Sequence, residues 1–126
     1  MRVMDTSTTA LGALSVSLQA SANNLVNATT NGFRQSDIRF DTGAGDQNMR
    51  LSESRKDATR SSPVEAPVHP IVGREYEQHM GWVESSNKDV PRELVNMIAI
   101  SSAWQPNATV IRSADEVLGS LFNEII

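Results

Sequence analysis

Apolar residues recur at helical spacing along both ends of this chain. Counting in sevens from Met4 gives Met4, Leu11, Leu18 and Leu25, with companions at Ser7, Leu14, Ser21 and Ala28. An apolar series beside a small one predicts one amphipathic helix over about residues 5–30, with a partner helix lying along it. Asp5, Ser7 and Thr8 offer N-caps, and Asn31-Gly32 supplies a stop that tolerates left-handed backbone. Such a helix would be ~40 Å long.

The other end carries a second pattern. One series reads Val90, Met97, Trp104, Ile111, Leu118 and Ile125, and the other reads Leu94, Ser101, Ala108, Asp115 and Phe122. Val95, Ile98, Val110, Val117 and Leu121 widen the apolar face beyond one seam, which implies more than one partner. Asp89 can cap this helix, and Pro91 is tolerated in its first turn. Pro106 removes the bond to Ser102, which predicts a kink or break near residues 102–106 at a cost of ~3 kcal/mol in an isolated helix.

Between these ends the pattern weakens. Residues 35–40 read as a short strand with Ile38 and Phe40 on one face, and residues 41–62 read as a long mobile loop. Pro63, Pro67 and Pro70 confine the following stretch to extended chain or an edge strand. The expected fold is mainly α: long N- and C-terminal helices packed as a coiled-coil-like hairpin, with a small irregular or β middle segment. The parts are a helix and turn over 1–33, a variable middle of short strands and a long loop over 34–88, and a helix over 89–126.

Charge sharpens this division. Of 26 charged residues, two lie in residues 1–33, four in residues 94–126 and the other 20 between Arg34 and Glu93. From Thr6 to Asn31 there are 14 Ser, Thr, Asn or Gln residues and no charge. These side chains compete for the backbone and make mediocre helices, and no Glu–Lys pairs support a solvent-facing surface. A helix of this kind is marginal alone and becomes ordered inside an assembly, unless it simply lies on an ordinary domain.

Composition excludes several functions. There is no cysteine, hence no disulfide, thiolate metal site or Cys nucleophile. Net charge is −4 without a basic stripe, which argues against nucleic acid. No run approaches the ~18 to 20 apolar residues a bilayer span needs. Ala10 to Leu18 followed by small residues resembles a signal peptide, but Asp5 in the n-region and Gly12, Ser15 and Ser17 in the apolar run oppose it. Glu75, Glu77 and His79 would share a face of a strand, yet a solvated face explains them better than a metal or acid/base site. His69 stands ten residues away. Gly43-Ala44-Gly45 precedes no helix pattern, and Asn27-Ala28-Thr29 and Asn107-Ala108-Thr109 match a glycosylation sequon inside expected helices. No catalytic, cofactor-binding or metal residue is expected, and the chain is read as no enzyme.

Two segments carry a family likeness. Ala22-Asn23-Asn24-Leu25-Val26-Asn27-Ala28-Thr29-Thr30-Asn31-Gly32-Phe33-Arg34 resembles an N-terminal signature of bacterial flagellar axial proteins, the rod and hook subunits. Gly81-Trp82-Val83-Glu84-Ser85-Ser86-Asn87-Lys88-Asp89-Val90, then Glu93-Leu94-Val95-Asn96-Met97-Ile98 and Ala103-Trp104-Gln105-Pro106-Asn107-Ala108, is similar to their C-terminal signature. Val26 stands where Ala is usual, Lys88 where Val is usual, Trp104 where Tyr is usual, and Pro106 where a helix-former is usual.

The resemblance implies a structural subunit of the flagellar basal-body rod, most like the short proximal-rod C-type subunits, that self-assembles helically into the motor's drive shaft. Implied partners are other rod subunits, copies of itself and the flagellar export apparatus. The implied location is the rod crossing the periplasm, reached without a cleaved signal peptide. The expected assembly interface is Leu11, Leu14, Leu18 and Leu25 with Met97, Trp104, Ile111, Leu118 and Phe122. The motif residues are Asn23, Asn24, Asn27, Thr30, Gly32, Phe33, Glu84, Ser86, Asn87 and Asn107. The alternative is a divergent helical adaptor whose two ends form an intramolecular hairpin.

Overall fold

The computed structural model describes residues 2–42, 49–68 and 79–125. Helix α1 spans Arg2–Val26, strands β1 and β2 span Ser36–Thr42 and Met49–Lys56, strands β3 and β4 span Pro63–Val68 and His79–Glu84, and helix α2 spans Val90–Ile125. The two helices pack along each other and the β1–β2 ribbon lies against α1. The β3–β4 ribbon packs on no other described helix or strand.

The expected mainly α fold with a small irregular or β middle is therefore incorrect. Two antiparallel two-stranded sheets with strands of six to eight residues fill the middle, and the chain joins a helical pair to two β-ribbons. Part of the stretch expected to be a mobile loop is β2. Its polar sequence hides a strand because its partner is charged in register: Asp37 opposes Arg55, Arg39 opposes Glu53 and Asp41 opposes Arg50. Opposite charges directly across a ladder stabilise it. A bulge between Arg39 and Phe40 keeps Arg50 on that charged face and sets Leu51 opposite Phe40 on the other.

The β3–β4 ribbon also has two unlike faces. Val64, Ala66, Val68 and Val83 are half-buried, while Pro63, Glu65, Pro67, Met80 and Trp82 face outward. Two strands make two edges, so prolines at 63 and 67 are tolerated. Gly81 lies so close to Val68 that a Cβ there would stand 2.8 Å from its Cγ2.

Helix α2 runs for 36 residues through Pro106, without the break that was one of the two expected outcomes there. Pro106 and Ser102 are both exposed, so water can reach the carbonyl that Pro106 leaves unbonded. Asn107 and Thr109 donate to the Ala103 and Gln105 carbonyls at 2.9 and 3.0 Å, adding side-chain bonds on either side of the gap. At its start, Asp89 accepts the Arg92 N–H at 3.1 Å as the cap.

The helix seam is built from small residues. Among the described residues, Ala13 is the single buried apolar side chain, and the others buried are Ser7, Ser21, Asn24 and Glu93. Thr6, Thr9 and Ser15 turn their hydroxyls back onto the carbonyls of Arg2, Asp5 and Leu11, which lets so polar a helix present a short-armed surface to α2.

Helix α1 ends at Val26, short of the expected Asn31-Gly32 stop, and Gly32 closes the run of turns that follows with a left-handed φ of 71°. Gly32→Ala should destabilise the folded chain by about 1 kcal/mol, since a Cβ disfavours that backbone. Gly12 lies inside α1 with open space around it, so Gly12→Ala should stabilise by about 1 kcal/mol. Thermal melts of the two variants should move in opposite directions.

Candidate functional site

The two signature segments meet at one polar clasp. Asn24, in the last turn of α1, is 1% exposed. Its Nδ2 donates to the Ser36 carbonyl at 2.8 Å and to Glu93 Oε1 at 3.1 Å, while its Oδ1 accepts the Ser36 N–H at 2.8 Å. One side chain thereby ties α1 to the first residue of β1 and to the first turn of α2. The Glu93 carboxylate is buried there and ion-paired with Lys88, whose side chain is fully buried. Lys88 also donates to Gln35 Oε1 at 3.2 Å.

Burial alone would push the Glu93 carboxyl up, but the bonds from Lys88, Ser21 and Asn24 and the Lys88 charge outweigh it and hold the group below its ordinary range. Its second oxygen, Oε2, is buried without a geometrically sound hydrogen bond, as is the Ser86 hydroxyl.

Asn87 organises the neighbouring strands. Its Oδ1 accepts the Gln35 N–H at 2.9 Å, its Nδ2 donates to the Thr59 carbonyl at 3.0 Å, and its backbone N–H donates to the Phe33 carbonyl at 3.3 Å. Arg34 pairs with Glu84 at 2.9 Å and donates to the Ala58 carbonyl at 2.8 Å. The Gly32 N–H donates to the Glu84 carbonyl at 2.7 Å, which fastens the end of α1 to the end of β4. Thr59 bonds the Asp57 carboxylate through its hydroxyl and N–H, which holds that carboxyl below the usual range and shapes the strand-to-strand corner.

Asn23, Asn27 and Thr30 form a local chain instead. Asn27 Nδ2 donates to the Asn23 carbonyl at 2.9 Å, and the Thr30 hydroxyl donates to Asn27 Oδ1 at 3.2 Å, so these residues occupy groups that the ending helix frees. Phe33 is half-buried and Asn107 lies on the half-covered side of α2. Motif residues near the clasp thus converge, whereas Asn107 lies far along α2.

The expected interface residues divide. Leu11, Leu14, Leu25, Met97 and Ile111 are half-buried, while Leu18, Trp104, Leu118 and Phe122 are exposed. Ser21, Gln35, Ser36, Lys88 and Glu93 complete the clasp although the sequence did not single them out as a site. Glu93 had a signal: it is an acid in step with Ile100, Asn107 and Ala114, a companion series that is more covered than the expected one of Leu94, Ser101, Ala108 and Asp115.

Glu75, Glu77, His69 and Gly43-Ala44-Gly45 lie outside the described residues, as does the side chain of His79. Among the described residues no three His, Cys, Asp or Glu side chains gather as metal ligands. No described helix is long and apolar enough to cross a membrane.

Lys88→Met should destabilise the chain by about 3–5 kcal/mol, because it strands the buried Glu93 charge. Adding Glu93→Leu should recover most of that loss, since Asn24 keeps Ser36; denaturant titration of the three variants measures the coupling. The lowered carboxyl predicts a pH response of definite sign. Glu93 stabilises fully above its ordinary value of 4.5, and the contribution falls away as pH drops through the lowered folded value. Glu93→Gln should remove that acid-side slope in melts taken across the same range.

Residues 79–124, covering β4, the clasp segment and nearly all of α2, match the family described as flagellar basal body rod FlgEFG protein C-terminal. The flagellar hook proteins FlgE of Escherichia coli and Salmonella typhimurium are each 44% identical over 43 residues, which is 34% of this chain and 11% of theirs. The flagellar basal-body rod protein FlgC of Borreliella burgdorferi is 32% identical over 81 residues, or 64% of this chain and 52% of that protein. The chain therefore spans about half the length of the rod relative and a tenth of the hook relatives. With the family match running from β4 through the clasp segment into α2, the chain is similar over this part to flagellar basal-body rod and hook proteins.

Proposed function

We propose that this chain is a structural, non-enzymatic subunit of the flagellar basal-body rod. The observation that carries the reading is the imbalance of its apolar surface. One alanine is buried, while Leu94, Val95, Ile98, Val117, Leu121 and Phe122 stand exposed along α2. Leu94, Val95 and Ile98 form one group at helical spacing and Val117, Leu121 and Phe122 another, and exposed apolar groups of this kind mark faces that other molecules cover. The likeness to flagellar rod and hook proteins supplies the kind of neighbour: other axial subunits and copies of the same chain. In this reading the subunit works in the part of the basal body that crosses the periplasm and reaches it through the flagellar export apparatus.

The mechanism is folding coupled to assembly. A helical pair with a small polar seam holds its register through the Asn24–Glu93–Lys88 clasp, and neighbouring subunits add the burial it lacks. The interface includes Leu11, Leu14, Leu18, Leu25, Met97, Trp104, Ile111, Leu118 and Phe122, with the exposed members facing neighbours.

Leu18 is 39% exposed, so Leu18→Asp should leave the isolated fold intact, abolish incorporation into rods and leave secretion unchanged. Normal motility in that strain would overturn the packing scheme. Circular dichroism against concentration separates this reading from a self-contained helical adaptor. Helix content and melting temperature should rise with concentration for an assembling subunit, and a concentration-independent cooperative melt would favour the adaptor.

A further inference from the structure

Two uncovered apolar features lie at opposite ends of the helical pair. At the α1 C-terminal end, the β3–β4 ribbon rests on no other described helix or strand and presents Trp82, 71% exposed, and Met80, 62% exposed. Pro67 and Glu65 sit directly across the ladder from them. At the α1 N-terminal end, a groove of about 510 Å³ opens between the two helices, lined mainly by Val3, Met4, Val110, Ala114, Val117 and Leu118. The 25 residues of α1 separate the two ends by roughly 37 Å.

The geometry points to a head-to-tail contact between copies, in which Trp82 of one copy enters the Val3–Leu118 groove of the next. The proposal rests on the polymerising role above and names the surface that gives the polymer its direction. Three features support a second copy as the occupant. The groove is mostly apolar and has room for an indole and a methionine side chain. Its adjoining cleft, which shares Val3 and Val110, is lined by Arg2, whereas the ribbon carries Glu65 opposite Trp82, so the rims are complementary in charge. The patch and the groove are also different surfaces at different ends. A contact between them is heterologous and propagates as an open chain, whereas a patch meeting itself closes as a dimer.

An exposed tryptophan on a ribbon is otherwise a poor use of the residue. Buried in a partner's pocket, a tryptophan is among the commonest energetic anchors of an interface. Gly81 fits the same design: with no side chain on the inner face, it lets Val68 close beneath the strand and keeps the outer face, with Trp82, presented outward.

The full chain contains no cysteine, which makes disulfide trapping direct. Met80→Cys, two residues from Trp82 on its face, is combined with Ser113→Cys beside the groove, and the concentrated protein is oxidised. The expected result is a ladder of dimers, trimers and higher species from the double variant and no ladder from either single variant. Trp82→Ala should raise the concentration needed for sedimentable polymer at least about tenfold. Glu65→Arg should weaken assembly, and adding Arg2→Glu should restore it. Polymer from the unaltered chain, with no ladder and no response to Trp82→Ala, would overturn this contact and leave the subunit role standing. No polymer and no ladder at any attainable concentration would overturn both. Dimers from Met80→Cys alone would replace the head-to-tail contact with a ribbon-to-ribbon one.

Discussion

The buried carboxylate of Glu93 is the point through which the rest of the structure is connected. It lies in the first turn of α2, yet its partners are Asn24 of α1 and Lys88 of the segment leaving β4, and Lys88 in turn bonds Gln35 just ahead of β1. Charge burial is costly unless paired and bonded. This cost makes the clasp selective: shifting α1 along α2 by one turn would separate Asn24 from Glu93 and leave the Lys88–Glu93 pair less well bonded. A seam of Ser, Ala and Asn offers little such discrimination, because small side chains fit many registers. The register of the helical pair therefore depends on one polar contact more than on the interlocking of large side chains.

The same seam determines where the large side chains go. Small residues let two helices approach closely and leave little room between them for Leu, Ile or Phe. Those residues are displaced to the flanks and outer face of α2, where a single chain cannot cover them. The β1–β2 ribbon covers part of α1 but leaves Met49 and Leu51 exposed at its far end. Internal register and external adhesion are thus assigned to different residues. Substitution of an outward Leu can abolish contact with neighbours without disturbing the fold, while substitution at Lys88 disturbs the fold first.

The long helices were legible in the sequence because the periodicity at 4, 11, 18, 25 and at 90, 97, 104, 111, 118 is strong. The exact faces were less so. Heptad counting favours the largest residues as the seam, but Ser7, Ser21 and Asn24 are more deeply covered than Leu18. Strand β2 was hidden because its eight residues are all exposed and mostly polar, so its order comes from charges on β1 that only the register reveals. Lys88 read as a departure from the family pattern for a similar reason. Its meaning depends on Glu93, five residues later and across a turn, and local spacing gives no sign that the two side chains will be buried together. The Asp89 cap was legible because it acts within one turn of chain, whereas α1 ends at Val26, ahead of the expected Asn31-Gly32 stop.

Ordering each backbone residue costs about 1–2 kcal/mol, whereas burying a large apolar side chain returns about 1.5–3 kcal/mol. For a helix as long as α2, hydrogen bonds along the helix and a one-sided seam with half-buried Met97, Ile100 and Ile111 leave little margin. Covering Leu94, Ile98, Val117, Leu121 and Phe122 adds several such increments at once, but a single neighbour at one flank reaches only some of them. Stability therefore rises with the number of faces covered. In the proposed assembly, a subunit arriving at the end of a growing tube would meet several neighbours together, whereas two free subunits would offer each other one face. Growth would thereby be favoured over nucleation by the distribution of side chains alone. A head-to-tail contact through Trp82 would add direction to that preference, because it joins unlike ends and gives the growing end a surface different from the one left behind.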